Sequence, residues 1–231
     1  MADYSSVSSL AVSLVSGLYR TANTLSVSLS NVSRHYDLSN HMFASFLSSD
    51  MTYSCPIWPL EDMKTGVTIS LEDAQIHKLR RIISEAKIKP TDHVLEIGTG
   101  WGSFAIEAVR QTGCSVTTVT LSVKQKQEAE ARISAAALSG RIQVLLQDYR
   151  EINPIEGGYD KIVSIEMLEH VGRENLEGYF ASVSRLLNDR NGIAVFQTST
   201  MPETVRNLQH ADIFVPTKIS SDMMPTVEGP S

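Results

Sequence analysis

His93-Val94-Leu95-Glu96-Ile97-Gly98-Thr99-Gly100-Trp101-Gly102 joins a short apolar run to three glycines at alternate positions. Val, Leu and Ile dominate the first five residues, which predicts a buried strand over 93–97. Glycine has no Cβ, so the turn that follows can be tight and a ligand can approach its backbone closely. Phe104, Ile106, Ala108 and Val109 then carry apolar character along a helix predicted over 102–111. Strand, glycine turn and helix in this order open a nucleotide-binding α/β fold. A tight connection with no ligand is the plainer alternative, and the motif alone does not separate the two.

Beyond this turn the chain keeps alternating. Strands are predicted over 115–121, 141–146, 159–165 and 192–199, and helices over 122–138 and 173–187. Such alternation implies parallel pairing through right-handed crossovers. The expected class is therefore α/β, with a doubly wound, mainly parallel, Rossmann-like sheet. Upstream, Ser70 precedes Glu72 and Asp73, an N-cap signal with acids in the first turn. Leu71, Ala74, Ile76, Leu79, Ile82, Ile83 and Ala86 continue that helix, and Pro90 lies beyond its end. A shorter helix is predicted over 40–47.

Three regions follow. Residues 1–33 form a Ser-rich leader, helical or partly disordered. Residues 34–89 form a helical lid or substrate segment. Residues 90–231 form the nucleotide-binding core with an irregular tail, including a helix near 202–210. In the leader, Leu10, Leu14, Leu18, Ala22, Leu25 and Leu29 recur at helical spacing. Its polar face is serine rather than Lys or Arg, which favours a helix packed on the domain over one lying on a membrane. Asp3, the absence of early Lys or Arg, and Ser13 within the apolar run count against a secretion signal; the acid-poor stretch 4–33 with Arg20 keeps an organelle-targeting reading open.

With 231 residues the chain holds one α/β domain and a short extension. A net charge of −6 and no Lys/Arg run argue against a nucleic-acid partner. Cys55 and Cys114 are too few for a disulfide framework and match no zinc spacing, so no metal and a reducing, cytoplasmic setting are expected. No apolar stretch reaches the roughly 18–20 residues of a membrane span. A peripheral membrane contact stays open, and nothing specifies the oligomer.

The nucleotide class comes from what surrounds the turn. Dinucleotide folds use G-x-G-x-x-G with an acid about 20 residues on. Here the spacing is G-x-G-x-G, and the second strand ends in Val119-Thr120-Leu121 without an acid. Glu96 before the turn and Asp148 after the third strand are placed as in S-adenosylmethionine (SAM) methyltransferases. Glu96 can receive the methionine amino group, and Asp148-Tyr149 can flank the adenine. A turn cap is the plainer role for Asp148 taken alone.

Several separate stretches resemble the cyclopropane-fatty-acyl-phospholipid synthase family, which includes the mycolic acid cyclopropane synthases. Arg34-His35-Tyr36-Asp37-Leu38-Ser39-Asn40 is similar to the family's opening segment. Met51-Thr52-Tyr53-Ser54-Cys55 resembles its T-Y-S-C loop, and Ser70-Leu71-Glu72-Asp73-Ala74-Gln75 its L-E-E-A-Q helix start. Thr120-Leu121-Ser122-Val123-Lys124-Gln125 resembles T-L-S-x-x-Q. Glu166-Met167-Leu168-Glu169-His170-Val171-Gly172 resembles M-F-E-H-V-G. The order of these motifs is far more specific than the glycine turn. The resemblance implies that Tyr53 and Ser54 close over SAM and that Gly98, Gly100 and Gly102 line it. It implies that Thr120, Leu121 and Gln125 take the ribose region and that Asp148 and Tyr149 flank the adenine. The implied substrate is an unsaturated acyl chain of a phospholipid, or another apolar acyl substrate, turned into a cyclopropane. The implied proton acceptor is a bound bicarbonate, with Cys55 and Glu169 at positions that hold it. Phe43, Trp58, Trp101 and Tyr36 are candidate walls for a carbocation, by analogy with cation–π contacts, although core packing is the plainer role of each.

Two departures stand out. Where the family carries a histidine in the fifth strand, this chain has Gln197, which donates and accepts hydrogen bonds but cannot hold a proton. Family members also continue well past Ile213-Phe214-Val215-Pro216 and supply a tyrosine to the bicarbonate site, so the sheet is expected to lack its last strands. These departures leave open a SAM-dependent C-methyltransferase of another apolar metabolite, or an inactive shortened relative.

Overall fold

Five parallel strands and the helices between them follow the alternation of the sequence. In the computed structural model, residues 40–59 and 69–200 are described. Helix α1 spans Asn40–Ala44 and α2 Leu71–Glu85. The core then runs β1 His93–Ile97, α3 Ser103–Thr112, β2 Ser115–Thr120, α4 Val123–Ala135, β3 Ile142–Leu146, β4 Lys161–Ile165, α5 Leu176–Leu186 and β5 Ile193–Gln197. The expected leader, the helix near 202–210 and Tyr36 lie outside the described residues.

Local chemistry sets the element ends. Ser70 Oγ accepts the Asp73 amide at 3.0 Å while the Asp73 carboxylate receives the Ser70 amide, a reciprocal cap that starts α2. Ser122 caps α4 by accepting the Gln125 amide at 3.2 Å. The helix expected over 173–187 is divided. A 3₁₀ turn at Arg173–Asn175 precedes α5. Similarly, β4 begins two residues later than expected, because Tyr159 makes only an isolated bridge to Leu187.

The strand order is β3-β2-β1-β4-β5, and every neighbouring pair is parallel. Alternate strand residues face opposite layers. Val94, Val163 and Val195 pack toward α2, α3 and α4, with Leu79, Phe104 and Ile133. Leu95, Ile162 and Phe196 pack toward α5, with Tyr179, Val183 and Leu186. The order reverses between β1 and β4, and in open parallel sheets ligands bind outside the carboxyl ends of the strands at such a switch point. Among the described residues no helix is long and apolar enough to cross a membrane, and no cluster of His, Cys, Asp and Glu could hold a metal ion.

Candidate functional site

The glycine turn leaves β1 and is tied to its neighbour. Gly98 N and Thr99 N both donate to Val119 O at 3.1 Å, and Gly102 N donates to Thr99 O at 2.9 Å. Gly100 has φ +52, and a Cβ built there meets nothing within 4 Å. Open space therefore lies over the turn at that residue. Gly102 answers a different need: with φ +86, its Cβ position is 3.3 Å from Ala129 Cβ, so its bareness lets α4 pack against the turn. Just before the turn, Glu96 is 2 % exposed and its Oε2 has no hydrogen-bond partner. Burial pushes its carboxyl from 4.5 up to about 8, against a weaker opposing hydrogen bond from Thr118.

At the tips of β2 and β3 the expected contact residues have partners within the protein. Thr120 Oγ1 donates to Gln125 Oε1 at 2.7 Å and receives the Ser122 amide at 3.1 Å. Leu121 is half-buried beside them. Asp148 caps a 3₁₀ turn at Tyr149–Glu151 and takes Arg150 N, Nε and Nη2 at 2.9, 2.8 and 2.7 Å. The capping role is thus present, joined to an ion pair. Tyr149 is buried, edge-on to Tyr179 with centroids 5.0 Å apart.

The T-Y-S-C loop lies over the turn because α4 and α3 hold it there. Arg132 Nη2 donates to Asp50 O at 2.7 Å and its Nη1 to Trp101 O at 2.9 Å, so one guanidinium clamps both loop and glycine turn. Ser103 Oγ also donates to Asp50 O. Trp101 is 1 % exposed, 4.7 Å from Phe43 and 6.4 Å from Tyr53 between ring centroids, and its Nε1 donates to Asn40 Oδ1 at 3.2 Å. Of the candidate wall residues, Phe43 and Trp101 therefore form one aromatic group, to which Tyr53 adds an exposed ring. Trp58 is exposed, at 42 %.

A second set of polar groups meets at the tips of β4 and β5. Cys55 N and Gln197 Nε2 both donate to Glu166 Oε1, each at 3.1 Å. Gln197 Nε2 also lies 3.6 Å from Cys55 Sγ, and Ser54 Oγ donates to Gln197 Oε1 at 3.2 Å. Gln75 Nε2 donates to Ser54 O at 2.6 Å. Burial raises the Glu166 carboxyl, but the hydrogen bonds from Gln197, Cys55 and Ser54 outweigh it and hold the group below the usual range. Lys78 on α2 is fully buried with no hydrogen-bond partner at Nζ. Burial lowers its amine to about 8, and Glu166 is the foremost of the charges opposing that fall, ahead of Cys55 and Asp50. Glu169 stands apart from this cluster. Its Oε1 receives Thr198 Oγ1 at 2.8 Å and also Ser199 N, and its buried Oε2 has no partner.

The structure thus brings Cys55 and Gln197 together on Glu166 and places Glu169 against the chain just after β5. Glu166, Lys78 and Arg132 received no role from the sequence. Glu166 stands at the carboxyl tip of a strand beside the switch point, a position from which it could have been found. Lys78 occupies an ordinary helix position, and only packing reveals it. SAM fits the residues present: an orphaned buried carboxyl oxygen at Glu96 suits an amino group, and open space at Gly100 admits a ligand. Bicarbonate gains no support from the described residues: of its two expected holders, the Cys55 amide already donates to Glu166, and Glu169 lies apart, bonded to Thr198 and Ser199.

Comparison with known proteins identifies the family and the fold. The sequence model of the mycolic acid cyclopropane synthetase family matches residues 24–229. Tuberculostearic acid methyltransferase UfaA1 of Mycobacterium tuberculosis is 41 % identical over 173 residues, 74 % of this chain and 39 % of that protein. Cyclopropane-fatty-acyl-phospholipid synthase of Escherichia coli is 38 % identical over 174 residues, 75 % of this chain and 42 % of that protein. Mycolic acid cyclopropane synthase CmaA1, solved with SAH and CTAB, superposes with a TM-score of 0.69 at 28 % identity, covering 79 % of this chain and 60 % of that one. Cyclopropane synthase MmaA2 from Mycobacterium tuberculosis gives 0.69 at 29 % identity, over 83 % of this chain and 62 % of that one. The chain spans about two fifths of the length of these two curated relatives.

Proposed function

The chain belongs to the mycolic acid cyclopropane synthetase family and has the Rossmann-like fold of class I SAM-dependent methyltransferases, and from that premise we propose that it transfers the SAM methyl carbon to the double bond of an unsaturated fatty acyl chain of a phospholipid, giving a cyclopropane. The observation that carries this reading is the pairing of the orphaned Glu96 carboxyl with a turn open at Gly100, beside the aromatic group of Phe43, Trp101 and Tyr53. When bound, SAM supplies a methyl group made electrophilic by its sulfonium.

The chain's own residues do the rest. Glu96 receives the amino group, and Thr120, Leu121 and Gln125 face the ribose region. Tyr53 and Ser54 close over the turn, with their loop fixed by Arg132. An alkene is a weak nucleophile, so alignment and exclusion of water carry most of the rate. Tyr53, the exposed ring of the aromatic group, offers a π-rich wall to the cation that develops on the acyl chain, with the buried Phe43 and Trp101 packed behind it.

A methyl-branched product is the second reading, favoured by 41 % identity to a tuberculostearic acid methyltransferase. Incubation with methyl-labelled SAM and vesicles of a phospholipid carrying cis-monounsaturated chains, followed by mass spectrometry of the released fatty acids, tests both. A labelled product heavier by one CH₂ is expected, and its fragmentation separates ring from branch. SAM binding with label in no lipid fraction would sink the acyl-chain reading.

A further inference from the structure

Glu166 takes the Cys55 amide, one of the two contacts that the family resemblance gives to an added anion, while Glu169, the other, lies apart. One oxygen, Oε1, receives both Cys55 N and Gln197 Nε2. Ser54 donates to the other end of the Gln197 amide, which orients Nε2 toward the carboxylate. The buried Lys78 ammonium supplies compensating positive charge. A second anion on the same donors would lie within hydrogen-bonding range of a carboxylate, and like charges so close oppose each other's ionisation. The backbone adds a further sign. Glu166 has φ +50, a left-handed conformation unusual for glutamate, which the surrounding structure must enforce. The next residue reaches the cofactor turn, since a Cβ on Gly98 would lie 3.1 Å from Met167 Cγ.

We propose that Glu166 is the chain's built-in proton acceptor, replacing bicarbonate, and that Gln197 and Ser54 position it. This rests on the acyl-chain transfer reading above. In that reaction the π pair of the double bond forms a carbon–carbon bond to the methyl carbon, and the C–S pair returns to sulfur, leaving S-adenosylhomocysteine. The acyl cation then sheds one proton to the Glu166 carboxylate, which becomes a neutral acid. Loss from the former methyl closes the ring with the freed C–H pair. Loss from a neighbouring chain carbon gives a branched alkene instead. A proton beside a carbocation is acidic enough for an ionised carboxylate to accept it, whereas the amide of Gln197 cannot.

The test compares the parent protein with Glu166→Gln and Glu166→Gly in carbonate-free buffer, with and without added bicarbonate. It uses labelled SAM and cis-monounsaturated phospholipid vesicles. Parent turnover is expected to be independent of bicarbonate. Glu166→Gln is expected to lose about 10²-fold or more in turnover, the usual worth of a positioned base, while SAM affinity by calorimetry stays at the parent value. Glycine suits the left-handed backbone, so Glu166→Gly is expected to keep thermal stability and to lose turnover. It should then regain turnover with bicarbonate, because the Cys55 and Gln197 donors are vacated. A parent enzyme that works only with bicarbonate, or a Glu166→Gln variant within about threefold of parent where a base is usually worth 10²-fold, overturns this inference and leaves the functional reading standing. A parent protein that binds SAM and labels no lipid overturns the functional reading and this inference with it.

Discussion

Glu96 is 2 % exposed, with one oxygen unpartnered and its carboxyl pushed up to about 8. A raised folded pKa means the protonated form is favoured in the fold. Its contribution to stability is therefore complete below the unfolded value of 4.5 and is lost as pH rises from there through about 8. Thermal denaturation should show the parent losing ground to Glu96→Gln across that window. If Glu96 receives the SAM amino group, binding must ionise it. Calorimetry near neutral pH in buffers of different ionisation enthalpy should then report release of about one proton per SAM bound, and Glu96→Gln should abolish that release and weaken binding. Gly100 gives a second test at this scale. A Cβ there would meet nothing within 4 Å beyond its chain neighbours, so the chief expected cost of Gly100→Val to the fold is the strain of a left-handed backbone, about 1–3 kcal/mol. SAM affinity should fall far more than that. Equal losses would show that the space above the turn is not ligand space.

Helix α4 acts beyond its own packing. It fills the hollow left by Gly102, and through Arg132 it binds the carbonyls of Asp50 and Trp101. The T-Y-S-C loop and the glycine turn are more than forty residues apart in the chain, and this guanidinium holds them in one geometry. Arg132→Ala leaves the two carbonyls without their guanidinium donor. The expected cost is about 1–3 kcal/mol of stability in urea, together with weaker SAM binding by calorimetry. Arg132→Lys cannot reproduce the fork and should recover only part. Unchanged SAM affinity in Arg132→Ala would mean that the loop does not serve the cofactor. At this same scale the sequence was informative about α2. Ser70 and Asp73 identify its start, and the structure shows both halves of that cap. The 3₁₀ turn ahead of α5 was not legible, because a 3₁₀ turn and the first turn of an α-helix draw on the same residue types.

For the whole molecule, five parallel strands converge their carboxyl ends on one edge, and both the glycine turn and the Glu166 cluster stand there. A ligand bound only by the folded state stabilises it, by about 2.7 kcal/mol at a hundred times its dissociation constant. For a chain of this size that is a rise of roughly 5–10 °C in melting temperature. Differential scanning calorimetry with SAM checks it, and no shift at saturating SAM would remove the cofactor from the account. By itself the sequence determined the strand and helix alternation, the parallel sheet and the glycine turn, because these depend on local periodicity and on residues lacking a side chain. Only the tertiary structure decided which carboxylate meets Cys55 and Gln197. Glu166 and Glu169 are three residues apart in one motif, and periodicity does not distinguish them. The turn after β4, with its left-handed Glu166, brings one to the loop and leaves the other against Thr198. Lys78 is hidden from the sequence for a similar reason. A lysine on a helix usually faces water, and its burial follows from the loop and strand tips that close over α2, which are distant in the chain.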